Sequence, residues 1–204
     1  MFDAAATGYA GPGLPPDQRL TVLERQREIA TACVKCETLA QCRTHVVYGE
    51  GSPTARFAFF GEAPGADEDR TGRPFVGAAG QLLDKIITAC RLNRDDVYIL
   101  NTVKCRPPGN RNPEPTEVAN CRDYFETQFD TVRPEYIVCL GAVASQSLLD
   151  NKAAVGKMRG RLHRYRDSKV LVTYHPAYLL RNPKAKAAVW ADLKMMLADA
   201  GIEV

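Results

Sequence analysis

Three short stretches of the sequence combine turn-forming residues with side chains that can do chemistry: GEAPG, NTVKC and HPAYLLR. The first offers the carboxylate of Glu62 for general-base work, for positioning a water or for stabilising a developing cation. The second offers the amide of Asn101, whose donor and acceptor lie side by side. The third offers the imidazole of His175, either as a donor to a developing anion or as a loop histidine with a structural partner.

The amide of Asn101 matches one edge of uracil. Its oxygen can accept from the N3–H of the base, and its NH2 group can donate to O4. Cytosine has an unprotonated N3 and a donor at N4, so it would leave buried groups unpaired. An asparagine that follows a strand is more often a turn or capping residue. Asn101 alone therefore leaves both interpretations open.

Large apolar side chains stand in two segments that otherwise look like loops. Phe75 follows Pro74 in a long polar stretch, where its ring either packs in the core or forms a stacking platform for a planar ligand. Leu179 and Leu180 stand beside Arg181. On a DNA-binding face such leucines can wedge into a base stack while the arginine contacts phosphate. The alternative is that both leucines begin the packing of the last helix.

The cysteines predict a metal or cluster site. Cys33 and Cys36 form a C-x-x-C pair, which brings two thiolates onto one turn, and Cys105 and Cys121 follow far downstream. A disulfide framework is not expected in a cytoplasmic chain. A four-thiolate site is therefore favoured, with a redox dithiol or unligated thiols as the alternatives. Cys42 is close enough to the pair in sequence to compete as a ligand.

Composition and length predict one globular domain. Hydrophobic residues make up 45% of the chain and charged residues 25%, as in ordinary soluble proteins. No apolar run approaches the roughly 20 residues that span a bilayer, and the N-terminus lacks the pattern of a secretory signal. We therefore expect a cytoplasmic protein without membrane association. Residues 1–16 are predicted as a flexible lead-in and residues 17–204 as a single domain.

Positive charge is concentrated late in the chain. The net charge is +3, yet residues 152–186 carry ten basic residues and a single acid, Asp167. Such a segment is either a solvated surface or a face that binds the phosphate backbone of a nucleic acid.

Apolar periodicity predicts alternating strands and helices, and hence a parallel-centred α/β sheet covered by helices on both faces. In such sheets ligands bind beyond the carboxyl ends of the strands. The three stretches that carry Glu62, Asn101 and His175 should therefore converge on one pocket. The predicted helices cover about 17–32, 78–92, 116–132, 142–149 and 184–200, and the predicted strands cover 55–61, 97–101, 136–141, 161–166 and 169–175.

Taken together, the longer motifs GEAPGADEDRTGRPFVGAAGQLLD, NTVKCRPPGNRNP and HPAYLLR, with the four cysteines, closely resemble family 4 uracil-DNA glycosylases. This is the iron–sulfur class of bacteria and archaea, and the resemblance runs from about residue 28 onward. It implies a three-layer αβα fold around a central, mainly parallel four-stranded sheet. It also implies a monofunctional enzyme, here expected to be a monomer, that hydrolyses the N-glycosidic bond of deoxyuridine in single- or double-stranded DNA. The product would be an abasic site, which starts base excision repair.

The resemblance also implies roles for individual residues. Glu62 would handle the water or the oxocarbenium-like sugar, and His175 would stabilise negative charge on uracil O2. Asn101 would read the uracil edge and Phe75 would stack on the ring, once the nucleotide has been flipped out of the DNA stack. Further implied contacts are the backbones of Gly61 and Ala63 to the substrate, Glu68 in the space of a thymine methyl group, and Leu179, Leu180 and Arg181 to DNA.

A [4Fe–4S] cluster held by Cys33, Cys36, Cys105 and Cys121 follows from the same resemblance. We expect a mainly structural cluster that orders the proline-rich loop and its basic residues near DNA. Cys42 is not required in this pattern and leaves the ligand set slightly open. The basic residues of that loop are Lys104, Arg106 and Arg111.

Two other functions compete with the glycosylase interpretation. One is that of a relative that binds uracil-DNA covalently through a histidine in a basic KRRIH-like insertion after the asparagine motif. Here the corresponding stretch reads CRPPGNRNP and has no histidine. The other is a cluster-bearing DNA-binding or redox-sensing module, which explains the cysteines and the basic segment but not Glu62, Asn101 and His175.

Overall fold

A single sheet of six strands forms the centre of the protein in the computed structural model, which describes residues 8–9 and 11–204. The strands are β1 (Glu50–Gly51), β2 (Phe57–Gly61), β3 (Tyr98–Asn101), β4 (Tyr136–Leu140), β5 (Leu162–Tyr165) and β6 (Ser168–Thr173). Their order is β1-β3-β2-β4-β6-β5. The four inner strands run parallel, and both edge strands pair antiparallel to their neighbours. The sheet is therefore mainly parallel as predicted, but it has six strands rather than four.

Helices cover both faces of this sheet. They are α1 (Pro16–Thr31), α2 (Glu37–Cys42), α3 (Ala66–Thr71), α4 (Ala78–Ala89), α5 (Pro115–Val132), α6 (Ala142–Leu149), α7 (Val155–Met158), α8 (Pro176–Arg181) and α9 (Lys186–Asp199). Three 3-10 turns join them, at Arg94–Asp96, Pro108–Asn110 and Pro183–Ala185. No helix within the described part of the chain is long and apolar enough to cross a membrane.

The side chains of β2 show why the fold has three layers. Ala58 and Phe60 point into a core formed with α1, α5, α6 and α7. Phe57 and Phe59 point into a second core formed with α4, α8 and α9. All five residues of β2 are buried, because an inner parallel strand has helices above and below it.

Two short helices occupy stretches that were predicted as loops. Helix α3 begins after Gly65, whose N–H donates to Glu68 at 3.1 Å, and it ends at Gly72 in the left-handed conformation. Helix α8 begins with Pro176 directly after His175, and proline is favoured at the first position of a helix. Each helix has six residues, which is too few for a periodic apolar pattern to be read from sequence.

The described part of the predicted lead-in contacts the domain. The hydroxyl of Tyr9 lies 2.6 Å from that of Ser168, and the Tyr9 N–H donates to Asp167 at 2.8 Å. Residues 1–7 and 10 of the lead-in lie outside the described residues.

Candidate active site

A pocket of about 340 Å³ opens at the carboxyl ends of β2, β3 and β6. This volume suits a single small planar ligand. The predicted convergence of three loops is therefore confirmed. Seven of the predicted site residues line the pocket, namely Glu62, Ala63, Glu68, Phe75, Asn101, His175 and Arg181.

Gly61 allows two of these side chains to approach each other. It ends β2 directly opposite Asn101 of β3 in the parallel register. A Cβ atom at this position would overlap Asn101 Oδ1 and would lie 2.6 Å from Cζ of Phe75. Only glycine therefore lets the amide of Asn101 and the ring of Phe75 close over the strand end.

Asn101 presents an unused hydrogen-bond acceptor. The residue is 1% exposed, and its Oδ1 has no partner among the described residues. A buried polar atom without a partner costs about 1–3 kcal/mol. A structural turn or capping asparagine would satisfy this oxygen within the protein. The arrangement instead fits an amide that is kept ready for a donor on a ligand.

Phe75 belongs to the core and to the pocket at once. It is 5% exposed, and its ring centre lies 5.6 Å from that of His175. Its backbone is left-handed, with φ of 51°, which is uncommon for an aromatic residue and typical of functional sites. Arg94 fixes the preceding carbonyl of Pro74 at 2.6 Å. Both interpretations of Phe75, as core packing and as a platform, thus agree with its position.

His175 is a neutral hydrogen-bond donor. Burial and, to a smaller extent, the charge of Arg181 lower the pKa of its imidazole to about 4, against an opposing effect of Glu68. Its Nδ1 accepts from the N–H of Ala177 at 3.1 Å. The proton of the neutral ring must therefore be on Nε2.

The two carboxylates of the pocket differ in their partners. Burial raises the pKa of Glu62, which suits a general base that works near neutral pH. Glu68 is fixed by backbone groups, since Oε1 accepts from Val76 at 2.8 Å and from Gly77 at 2.9 Å. Its Oε2 accepts from Gly65. Glu62 is thus the carboxylate available for chemistry, and Glu68 shapes the wall.

The position of Leu179 on helix α8 contradicts its predicted contact with DNA. Leu179 is 1% exposed and packs in the core with α4 and α9, so it is not on the surface where DNA could reach it. Leu180 is 48% exposed and Arg181 is exposed as well. Tyr178, which was not predicted, is 39% exposed, lines the pocket and stacks on Tyr174 with ring centres 5.0 Å apart.

The basic residues are less available to DNA than their number suggests. Lys104 was expected among the basic residues near DNA, but it is 1% exposed and is therefore not available for contact with DNA. Arg111 lines the pocket but is paired with Glu117 at 2.7 Å. Several members of the basic segment also pair with acids outside it, namely Arg159 with Asp192, Arg166 with Asp130 and Lys169 with Asp199.

The proline-rich loop after β3 brings Cys105 close to three other cysteines. The thiols that influence one another electrostatically are those of Cys33, Cys36, Cys105 and Cys121. Burial raises the pKa of Cys105, a hydrogen bond from Arg43 at 3.3 Å lowers it, and negative charge on Cys33 or Cys36 raises it again. Burial raises the pKa of Cys121, the backbone N–H and the charge of Lys104 lower it, and charge on Cys105 or Cys36 raises it again, with a pKa of about 11 as the result. These are the four cysteines that the sequence grouped together.

Polar N–H groups also point at these sulfur atoms. Asn120 Nδ2 lies 3.4 Å from the sulfur of Cys36. The backbone N–H of Lys104 donates to the thiol of Cys121. Hydrogen bonds of this kind stabilise thiolates and tune the clusters that they ligate.

Comparison with known proteins identifies the family. A model of the family described as "Uracil DNA glycosylase superfamily" matches residues 48–194. The chain belongs to this superfamily. It is 43% identical over 181 residues to the Type-4 uracil-DNA glycosylase of Sulfurisphaera tokodaii, covering 84% of this chain and 82% of the relative. It is 45% identical over 166 residues to that of Thermotoga maritima, covering 80% and 86%. The resemblance to family 4 is therefore confirmed.

The thiol group of this uracil-DNA glycosylase suits a cluster better than a single ion. No three His, Cys, Asp or Glu side chains within residues 8–9 and 11–204 are arranged to hold one metal ion. A [4Fe–4S] cluster makes a different demand, because each of its four irons takes one thiolate. The mutual electrostatic effects among Cys33, Cys36, Cys105 and Cys121, with Asn120 Nδ2 at 3.4 Å from the sulfur of Cys36, fit that demand. Cys42 is exposed at the end of α2, apart from this buried chemistry.

The sequence alone did not single out two asparagines of the uracil-DNA glycosylase pocket. Asn110 and Asn112 both line it. Asn110 has a left-handed backbone, with φ of 57°, and its Oδ1 accepts from Arg106 at 2.8 Å. Asparagine in a Pro/Gly loop looks like a turn former, so only its place in the stretch after Asn101 could have indicated more.

Proposed function

We propose that the protein is a monofunctional uracil-DNA glycosylase that hydrolyses the N-glycosidic bond of deoxyuridine in DNA and leaves an abasic site. This activity starts base excision repair. The observation that carries the proposal is the buried, unpartnered Oδ1 of Asn101 in a pocket of about 340 Å³. An acceptor held in this way fits the N3–H of uracil and is left unpaired by cytosine.

Binding begins with the target nucleotide flipped out of the stack, at a cost of a few kcal/mol. The uracil ring lies against Phe75, while its N3–H donates to Oδ1 of Asn101 and its O4 accepts from the amide NH2 group. Glu68 borders the position of C5, where it excludes the methyl group of thymine. The backbones of Gly61 and Ala63 complete the contacts to the base.

Bond cleavage then moves one electron pair and one proton. The C1′–N1 bond breaks, its electron pair passes into the uracil ring, and negative charge collects on O2. The Nε2–H of His175 donates to that oxygen more strongly as the charge grows. A water molecule attacks C1′ of the oxocarbenium-like sugar, and Glu62 accepts its proton. Glu62 returns the proton to solvent and the uracil anion takes one from solvent, so the products are uracil and an abasic site.

Cys33, Cys36, Cys105 and Cys121 would hold a [4Fe–4S] cluster. When bound, this cluster supplies a cross-link between the segment before α2, the loop after β3 and helix α5. Cys105 lies in the loop that follows Asn101, so the cross-link would hold the pocket wall in place. The exposed residues Leu180 and Arg181 contact the DNA around the flipped nucleotide, and a single chain suffices because it contains the whole pocket.

The first test measures uracil release from a labelled single-stranded oligonucleotide with one deoxyuridine. Half of each reaction is treated with alkali before a denaturing gel, and the other half is run directly. We expect strand cleavage only after alkali and none in a cytosine control. Asn101→Ala and Glu62→Ala should abolish release while they keep much of the phosphate-driven affinity for DNA.

Each alternative function gives a different result in that assay. A shifted band that survives denaturant would indicate a covalent uracil-DNA complex instead of turnover. Intact DNA in both halves, with DNA binding retained, would leave only the cluster-bearing binding module and would overturn the proposal.

A further inference from the structure

Lys104 is a buried amine whose hydrogen-bond partners are neutral. It is 1% exposed, and its Nζ donates to the carbonyl oxygen of Asn101 at 2.9 Å and to Oε1 of Gln128 at 2.5 Å. The same ammonium lies 5.7 Å from the ring centre of Tyr48. Lysine is almost never fully buried without a paired charge. Its position in this fold therefore calls for a reason beyond packing.

Lys104 contacts Asn101, the residue proposed to form hydrogen bonds with the edge of uracil. Asn101 is the last residue of β3, and the chain leaves the sheet directly after it. Thr102 and Val103 still donate to the carbonyls of Gly61 and Glu62, at 2.9 and 3.1 Å. The carbonyl of Asn101 is instead fixed by the Lys104 ammonium. In the buried core no water can replace a lost partner, so this hydrogen bond holds the backbone of Asn101 in place.

The partners of Lys104 are themselves held in place. Gln128 on α5 is fully buried, and its Nε2 donates to the carbonyl of Tyr48 at 2.9 Å and to the hydroxyl of Tyr98 at 3.0 Å. A satisfied polar network in a core has few alternative arrangements. The ammonium therefore has one position, and so does the carbonyl of Asn101.

The same residue reaches the thiol group. Its backbone N–H donates to the sulfur of Cys121, and its chain neighbour is Cys105. Lys104 is thus bonded to the uracil-reading residue through its side chain and to a proposed cluster ligand through its backbone.

We propose that Lys104 is a positioning residue for uracil recognition, which holds Asn101 in register with the base and ties it to the thiol group. This inference rests on the proposed function. Lys104 touches neither the base nor the sugar; it acts through Asn101. Its removal should therefore weaken discrimination for uracil more than it weakens affinity for DNA in general.

The test is a double-mutant cycle on binding, without turnover. The probe is a single-stranded oligonucleotide with a 2′-fluorinated deoxyuridine, whose glycosidic bond resists hydrolysis, and the reference is the same oligonucleotide with cytosine. We expect Lys104→Met to reduce the preference for the uracil probe about tenfold, as for the loss of a charged hydrogen bond. In the Asn101→Ala background the same change should alter the preference less than about twofold, because the residue it positions is gone. Lys194→Met, an exposed change on α9, should match the wild type.

The outcomes separate the inference from the proposed function. A wild type without preference for the uracil probe would refute the proposed function itself. A wild type with that preference, and Lys104→Met with the full preference, would refute only the positioning role. An equal loss in both backgrounds would show a general structural effect and would also overturn it. If Lys104→Met does not fold, Lys104→Gln, which retains a neutral donor, is put through the same cycle. A smaller loss is then expected, and only where Asn101 is present; no loss in either background would overturn the positioning role.

Discussion

Replacing Gly61 by alanine should damage the uracil pocket directly. The new Cβ would overlap Asn101 Oδ1 and would lie 2.6 Å from Phe75 Cζ, about 0.8 Å short of the 3.4 Å at which ordinary contact begins. Neither neighbour is free to move, since Asn101 is 1% exposed and Phe75 is 5% exposed. Overpacking of this kind costs about 1–3 kcal/mol. A displacement of about 1 Å in a positioning residue can lower the rate about 100-fold.

We therefore expect Gly61→Ala to lower kcat/KM for uracil release about 100-fold, with a decrease of only a few degrees in Tm. The assay is single-turnover release from a labelled oligonucleotide, run beside a thermal melt. Gly156→Ala is the matched control, because its Cβ would meet only the Tyr174 hydroxyl, at 3.7 Å. Full activity in Gly61→Ala would refute the reasoning, as would an equal loss in Gly156→Ala.

Three further predictions concern Glu62, His175 and the cysteines. Burial raises the pKa of Glu62, so kcat should decrease at acid pH as this carboxyl gains a proton. In Glu62→Gln the plot of kcat against pH should no longer show this decrease. Above the raised pKa, the ionised Glu62 carboxylate lowers the stability of the folded protein. Glu62→Gln should therefore have a higher Tm than the wild type at pH 8 but the same Tm at pH 4. Equal Tm values at both pH values would contradict this. His175→Ala should lower kcat about 100-fold or more. Burial lowers the pKa of His175 to about 4, so a profile of Glu62→Gln that still breaks near pH 6.5 would rule out the neutral donor. Cys33→Ala should lose bound iron and the visible absorbance of the cluster, and Cys42→Ala should keep both. Loss of iron in Cys42→Ala would show that Cys42 is one of the ligands.

The meeting of the three loops could be predicted because it depends only on topology. Glu62, Asn101 and His175 follow β2, β3 and β6, and the carboxyl ends of parallel strands share one edge of a sheet. Residue types at strand ends, together with the strand alternation, are therefore enough to place a pocket. Of the two antiparallel outer strands, β5 was predicted at 161–166 and β1 was not, and neither changes which strand ends meet.

Details that depend on one-turn helices and distant partners could not be predicted in the same way. Leu179 faces the core only because α8 is a helix; in the expected loop it was free to face DNA. Lys104 stands in a basic, proline-rich stretch and looks like a surface residue. Its partner Gln128 lies 24 positions away on α5, and nothing in the local pattern relates the two.

The pKa values of the pocket are shifted in opposite directions, and the proposed reaction needs both shifts. Burial raises the pKa of Glu62 and lowers that of His175 to about 4. A protonated imidazole would attract the nearby carboxylates before any substrate arrived. The neutral Nε2–H instead forms its strongest bond only when O2 becomes negative, so the interaction favours the transition state over the bound substrate. The burial that leaves Asn101 Oδ1 unpaired thus also keeps His175 neutral, and the same closed pocket supplies both selectivity for uracil and stabilisation of its anion.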